Sequence, residues 1–186
     1  RAIEKRGAFY LALSGGKTPR GLYERLASAP WRDQIDWGRA HVFLVDERAV
    51  PAEHPDSNFG MLRRALLDQV PIPPAQVFPM ASGRPLEEDA AQYEESLLRV
   101  LPKEGPRGWP RFDCMALGLG PDGHTASLFP GHPALFEAQR LALALPEPMG
   151  DPAWPRLTLT LPLINNTRSI LFLASGAGKR RVVESI

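Results

Sequence analysis

FDCMALGLGPDGHTASLFPG, residues 112–131, runs an apolar stretch straight into a glycine-rich loop that holds an acid and a histidine two positions apart, Asp122 and His124. Phe112, Cys114, Met115, Ala116 and Leu117 read as a core strand over 112–119. Such a near-continuous apolar run is what a strand buried on both faces of a parallel sheet requires. Gly118, Gly120 and Gly123 then let the backbone turn sharply or approach a ligand closely. A loop at the carboxyl end of a buried parallel strand is where an α/β sheet places its chemistry.

Outward from this stretch, short β-like runs alternate with helical ones. The pattern predicts a strand over 8–14, a loop SGGKTP over 14–19, and a helix over 19–27 with Pro19 in its first turn. A strand over 41–45, a loop DERAVPAEHPDSN and a helix over 58–69 follow, then a short strand over 76–79. Leu86, Ala90, Tyr93, Leu97 and Leu101 recur at three or four and define an amphipathic helix over 86–101. After the glycine-rich loop come an apolar run over 141–145 and strands over 157–161 and 169–174, while the Pro/Gly clusters at 101–110 and 146–155 read as surface loops. Repeated strand–helix–strand units imply an α/β fold: a mostly parallel, Rossmann-like sheet flanked by helices on both faces. The chain reads as a single domain over 1–186, shortened at both termini.

Composition narrows the partners. With 44% hydrophobic residues the chain can bury a sizeable core, and 22 basic against 21 acidic residues leave a net charge of +1. That balance offers no electrostatic case for nucleic acid or a membrane surface, so the expected partner is a small molecule. Cys114 is the one cysteine; it reads as an inert core thiol, which suits a cytoplasmic setting. No apolar run reaches the ~20 residues a membrane helix needs.

Several features look like motifs and fail on spacing. Gly16, Lys17 and Thr18, and again Gly178 and Lys179, resemble the end of a P-loop, but the glycine it needs five residues earlier is Leu11 or Leu173. What survives is more general: each segment follows a strand and enters a helix, where backbone N–H groups favour phosphate. His41, His54, His124 and His132 show no zinc spacing, so no metal and no cofactor are expected. His41 at a strand start and His54 and His132 in loops read as solvated imidazoles.

In order along the chain, SGGKTP at 14–19, VDERAVP at 45–51 with DSN at 56–58, LGLGPDGHTASLFPG at 117–131, RLTLT at 156–160 and the turn at 176–179 resemble the motif series of 6-phosphogluconolactonases, within the glucosamine-6-phosphate isomerase/6-phosphogluconolactonase family. The resemblance implies a glucosamine-6-phosphate-deaminase-like α/β fold. It also implies hydrolysis of 6-phospho-D-glucono-1,5-lactone to 6-phosphogluconate in the oxidative pentose phosphate pathway, with a phosphosugar lactone as partner. The chain departs from the family pattern in running shorter at both ends and in reading PEPMGDPAWP where a Lys-Pro-rich run precedes Arg156.

Lactone hydrolysis requires a water, a base for its proton, donors for the developing oxyanion and a grip on the phosphate. His124, Asp122 and Arg48 form the expected catalytic set; Ser14, Gly15, Gly16, Thr18, Asp46, Asn58, Arg156 and Lys179 form the expected substrate-binding set. His124 is the candidate base, since a neutral imidazole accepts a proton near pH 7. Asp122 and Asp46 orient it, bind sugar hydroxyls or cap turns. Arg48 binds phosphate or polarises the carbonyl, and Lys179 with the 14–18 turn and Arg156 forms the phosphate cradle. Direct attack by water is favoured over an acyl-enzyme because no G-x-S-x-G elbow is present. Two alternatives stand beside this reading. One is a phosphosugar isomerase or deaminase, whose loop carries a glutamate five residues after its histidine, where this chain has Phe129. The other is a non-catalytic phosphosugar-sensing domain of the same fold.

Overall fold

The structure, a computed structural model, describes residues 2–184. In chain order, α1 (Ala2–Arg6), β1 (Phe9–Leu13), α2 (Lys17–Leu26) and α3 (Trp31–Gln34) lead to β2 (Ala40–Leu44), β3 (Asp46–Arg48) and α4 (Asn58–Ala65). Next come β4 (Val77–Phe78), α5 (Leu86–Val100), β5 (Cys114–Gly118), β6 (Ala142–Met149) and β7 (Trp154–Leu159). Finally α6 (Leu161–Asn165), β8 (Ile170–Leu173) and α7 (Arg180–Glu184) complete the order.

The central sheet has five strands in the order β4-β2-β1-β5-β8, and every neighbouring pair is parallel. Its strands feed two cores, as an apolar run buried on both faces must. Met115 and Leu117 join Phe43, Leu97 and Phe112 on one face, and Ala116 joins Leu13, Tyr23, Val42 and Leu62 on the other. Ala90, Tyr93 and Leu97 of α5 cover the first face; Tyr23 of α2 and Leu62 and Ala65 of α4 cover the second. The chain builds β1, β2 and β4 to one side and then crosses back beyond β1 to lay down β5 and β8. The strand order therefore reverses between β1 and β5.

A second sheet differs from expectation. β3, β7 and β6 form a three-stranded antiparallel sheet, whose Ala142, Leu145, Leu157 and Leu159 share the α5 core. The stretch 146–155 is thus not simply a surface loop: β6 runs to Met149 and β7 starts at Trp154, leaving only 150–153 as the turn. Pro146 and Pro148 are tolerated because β6 is an edge strand, where a missing N–H breaks no ladder bond. The strand expected over 157–161 is shifted earlier, since Pro162 opens α6 from its first turn. The helix expected over 58–69 ends at Ala65 and continues as a 3₁₀ turn, Leu67–Gln69. His41 is no solvated imidazole: its ring stacks on Tyr10 at 5.0 Å, and burial pushes its pKa down.

Candidate active site

Ligands of open α/β sheets bind where neighbouring strand ends diverge. Here that crevice lies between the turn after β1 and the loop after β5, and a cavity of about 400 Å³ opens there. The loop after β1 brings Ser14, Gly15, Gly16 and Thr18 to its wall, β3 brings Asp46 and Arg48, and α4 brings Asn58. His124 from the loop after β5, Arg156 from β7 and Lys179 from the turn after β8 close the circle. Of the expected site residues only Asp122 is not in the wall; it reaches the cavity through His124.

His124 and Asp122 form a pair within one tight loop. Asp122 Oδ1 lies 2.6 Å from His124 Nδ1 and also accepts from the His124 backbone N–H at 3.2 Å. The loop closes on itself through Gly120 N donating to His124 O at 2.7 Å. Gly120 permits the pair: a Cβ there would lie 2.2 Å from His124 Nδ1 and 2.6 Å from Asp122 Oδ1. Partial burial pushes the Asp122 carboxyl up, yet the bonds from His124 outweigh it and hold the group below the usual carboxylate range. An ionised acceptor at Nδ1 assigns the ring proton to that nitrogen and leaves Nε2 as the basic one. Beneath the ring lies Phe129, with centroids 4.5 Å apart.

Asp46 is held differently. Its Oδ2 accepts from Ser127 Oγ at 2.8 Å, and Asn58 Nδ2 donates to its backbone carbonyl at 2.9 Å and to Oδ1 at 3.4 Å. Gly15 packs against this Asn58, since a Cβ would fall 1.8 Å from Asn58 Oδ1. Asp46 therefore does not orient His124; that part belongs to Asp122 alone. The neighbouring Glu47, 1% exposed, accepts from the backbone N–H groups of Arg48, Asn58 and Phe59 at 2.7–2.8 Å and from Ser57 Oγ at 3.1 Å. Ser57 in turn caps α4 by accepting from Gly60 N. Burial pushes the Glu47 carboxyl up while those backbone donors pull it down.

The cations are concentrated and poorly neutralised. Arg48 and Arg156 are register partners across β3 and β7, an opposition of like charges that costs stability unless an anion joins them. Arg156 is 3% exposed, and the Asp46 carboxylate stands 4.0 Å away. Its guanidinium also lies over the Phe129 ring, 5.6 Å from the centroid. Among the described residues no carboxylate pairs with Lys179. Ser14 Oγ is buried in the wall without a hydrogen-bond partner, and so is Arg48 Nε. The turn carrying Ser14 is fixed by Tyr23, whose hydroxyl donates to Ser14 O at 2.8 Å. Thr18 Oγ1 meets Ser175 Oγ at 3.2 Å and joins the turns after β1 and β8.

Three features of the site's support were not expected from sequence: the roles of Glu47, Ser127 and Phe129. Ser127 carried a signal in lying three residues after His124 in the same loop. Glu47 carried none, because a charged residue between two others in DER reads as solvated. His54 and His132 act locally, each accepting on Nδ1 from the backbone N–H two residues on, Asp56 and Ala134.

A parallel α/β sheet with a cationic, histidine-bearing crevice at its switch point defines an α/β protein whose site suits an anionic ligand. The family profile described as Glucosamine-6-phosphate isomerases/6-phosphogluconolactonase matches residues 1–186, and the chain belongs to this family. Within the family the chain resembles lactonases. It is 48% identical over 188 residues to the 6-phosphogluconolactonase of Synechocystis, covering 100% of this chain and 74% of that one. It is 38% identical to the chloroplastic 6-phosphogluconolactonase 3 of Arabidopsis thaliana, covering 98% of this chain but 57% of the relative's length. The crystal structure of 6-phosphogluconolactonase from Thermotoga maritima superposes with a TM-score of 0.85 at 32% identity, over 98% of this chain and 77% of that one.

Proposed function

We propose that this chain hydrolyses 6-phospho-D-glucono-1,5-lactone to 6-phosphogluconate, a carboxylic ester hydrolysis of the oxidative pentose phosphate pathway, with His124 as general base. The observation that carries the reading is the Asp122–His124 pair at 2.6 Å, set in a cavity walled by Arg48, Arg156 and Lys179. His124 Nε2 takes a proton from water as the water oxygen bonds to the lactone carbonyl carbon. The tetrahedral oxyanion is stabilised by hydrogen-bond donors of the cavity wall and collapses with cleavage of the ring C–O bond. The imidazolium returns the proton to the departing ring oxygen, and Asp122 stabilises it meanwhile. Asp46, its carboxylate already oriented by Ser127 and Asn58, accepts from sugar hydroxyls. Lys179 and the backbone of residues 14–18, with Arg48 and Arg156 opposite, take the phosphate, whose remote binding energy positions the carbonyl.

Phe129 has no proton to give where ring-opening relatives of this fold carry a glutamate, so the hydrolytic reading is preferred to an isomerase or deaminase. Among the described residues no helix is long and apolar enough to cross a membrane. The proposed setting is the cytoplasm, in keeping with a single half-buried thiol, Cys114, pushed up by burial. The test is turnover of freshly generated 6-phosphogluconolactone, corrected for spontaneous hydrolysis, beside unphosphorylated gluconolactone. Hydrolysis no faster than the blank, or no preference for the phosphorylated lactone, overturns the reading.

A further inference from the structure

Arg48 and Arg156 oppose each other across β3 and β7, and neither has a carboxylate at hydrogen-bond distance among the described residues. They are held by backbone carbonyls instead. Arg48 Nη1 donates to Asp56 O at 2.6 Å. Arg156 donates from Nε to Met149 O at 3.0 Å and from Nη2 to Pro152 O at 3.4 Å. The first carbonyl belongs to the loop between β3 and α4, the other two to the β6–β7 hairpin. How far apart the guanidiniums stand therefore depends on how that loop and that hairpin sit against each other.

One side chain ties the two together. Trp154 Nε1 donates to Asp56 Oδ2 at 3.0 Å, and its indole meets the His54 ring edge to face, with centroids 5.3 Å apart and planes at 79°. Trp154 stands two residues before Arg156 on β7, so both side chains lie on the same face of the strand. Asp56 accepts from Trp154 on its carboxylate and from Arg48 on its carbonyl, so the latch joins the supports of both arginines through one residue.

We infer that Trp154 is a positioning residue: by latching the β6–β7 hairpin to the loop before α4 through Asp56, it sets the spacing at which Arg48 and Arg156 grip an anionic group of the substrate. The identity of that substrate rests on the lactonase reading above; the latch itself does not. Electrostatic repulsion between the arginines makes the spacing sensitive to the latch, which adds a side-chain tie to the backbone bond from Ala49 N to Pro155 O at 2.9 Å and to the 4.0 Å approach of Asp46 to Arg156.

The experiment is a double-mutant cycle with Trp154→Phe, which keeps a ring but loses the N–H, and Asp56→Ala, which loses the acceptor but keeps the carbonyl. Each variant should raise KM for the 6-phosphorylated lactone about three- to tenfold, the scale of one net hydrogen bond, and leave kcat within about twofold. The double variant should be no worse than either single one. A loss confined to kcat, additive effects in the double variant, or kinetics like those of the unaltered protein overturns the inference. A second readout needs no turnover: the Nε–H resonances of Arg48 and Arg156 in NMR spectra should both move in Trp154→Phe and in Asp56→Ala. Resonances that stay in place overturn the latch. Absence of lactone turnover in the unaltered protein would instead fell the functional reading, while the arginine resonances still decide the latch.

Discussion

Two carboxylates serve the cavity, and the molecule holds them in opposite ways. Asp122 is half-exposed and bonded to a histidine two residues on, inside a single loop. Asp46 is buried, and its carboxylate is fixed by Ser127, 81 residues away, and by Asn58 from the start of α4. The first arrangement needs little from the rest of the fold and leaves the histidine open to the cavity. The second draws on three separate elements, and so turns the whole fold into a mould for one acceptor. On the proposed reading, proton handling falls to the exposed pair and recognition to the buried carboxylate.

The largest expected effect tests the exposed side of this division. His124→Ala should lower kcat by about 10² to 10⁴ while the circular dichroism spectrum and melting behaviour stay as they are, since a loop histidine contributes chemistry more than packing. Near-normal turnover in the folded variant would remove His124 from the base role. Asp46→Ala tests the buried side. It strands Ser127 Oγ and Asn58 Nδ2 without their acceptor, so denaturant unfolding should register a loss of about 1–3 kcal/mol, together with a higher KM. The comparison breaks if Asp122→Ala destabilises the protein as much as Asp46→Ala does.

A smaller effect is expected from Asp122→Asn, because the amide oxygen can still accept from the imidazole. Its kcat should fall by about tenfold, the scale of weakening one charge-assisted hydrogen bond, and so less than for His124→Ala. The smallest effect is on stability against pH. The folded Asp122 carboxyl is held below its unfolded value of 3.8, so its contribution is fully present above that value and is lost as pH falls through the lowered folded value. The stability difference between the unaltered protein and Asp122→Asn should therefore shrink as pH falls through the acid range. A difference that stays constant through the acid range would assign the linkage to another group.

What could be read from the sequence follows the same division. Apolar runs such as 112–117 betray buried parallel strands because they are wet on neither face, and the periodicity of 86–101 matches α5 (Leu86–Val100) almost end to end. The Asp122–His124 pair was legible because its spacing is local. The second sheet was not: β3 is Asp-Glu-Arg, without apolar alternation, and it becomes a strand only by pairing with residues 156–158 far along the chain. β6 carries two prolines that argue against a strand until its place at the edge is known. Glu47 and Trp154 stayed hidden for a related reason, since both act by satisfying backbone or side-chain groups that only the tertiary fold brings near.

Gly120 carries no reactive atom, yet its hydrogen is the only substituent its neighbours permit, because any side chain would meet both members of the acid–histidine pair. The same holds for Gly15 against Asn58. In the language of heredity, a single-nucleotide change giving alanine at either position displaces the side chains packed there, His124 and Asp122 at Gly120 and Asn58 at Gly15. A lineage drifting toward another activity on this scaffold would meet the same closure at Gly150, where φ is +85° and a Cβ would fall 2.4 Å from Arg156 Nη2.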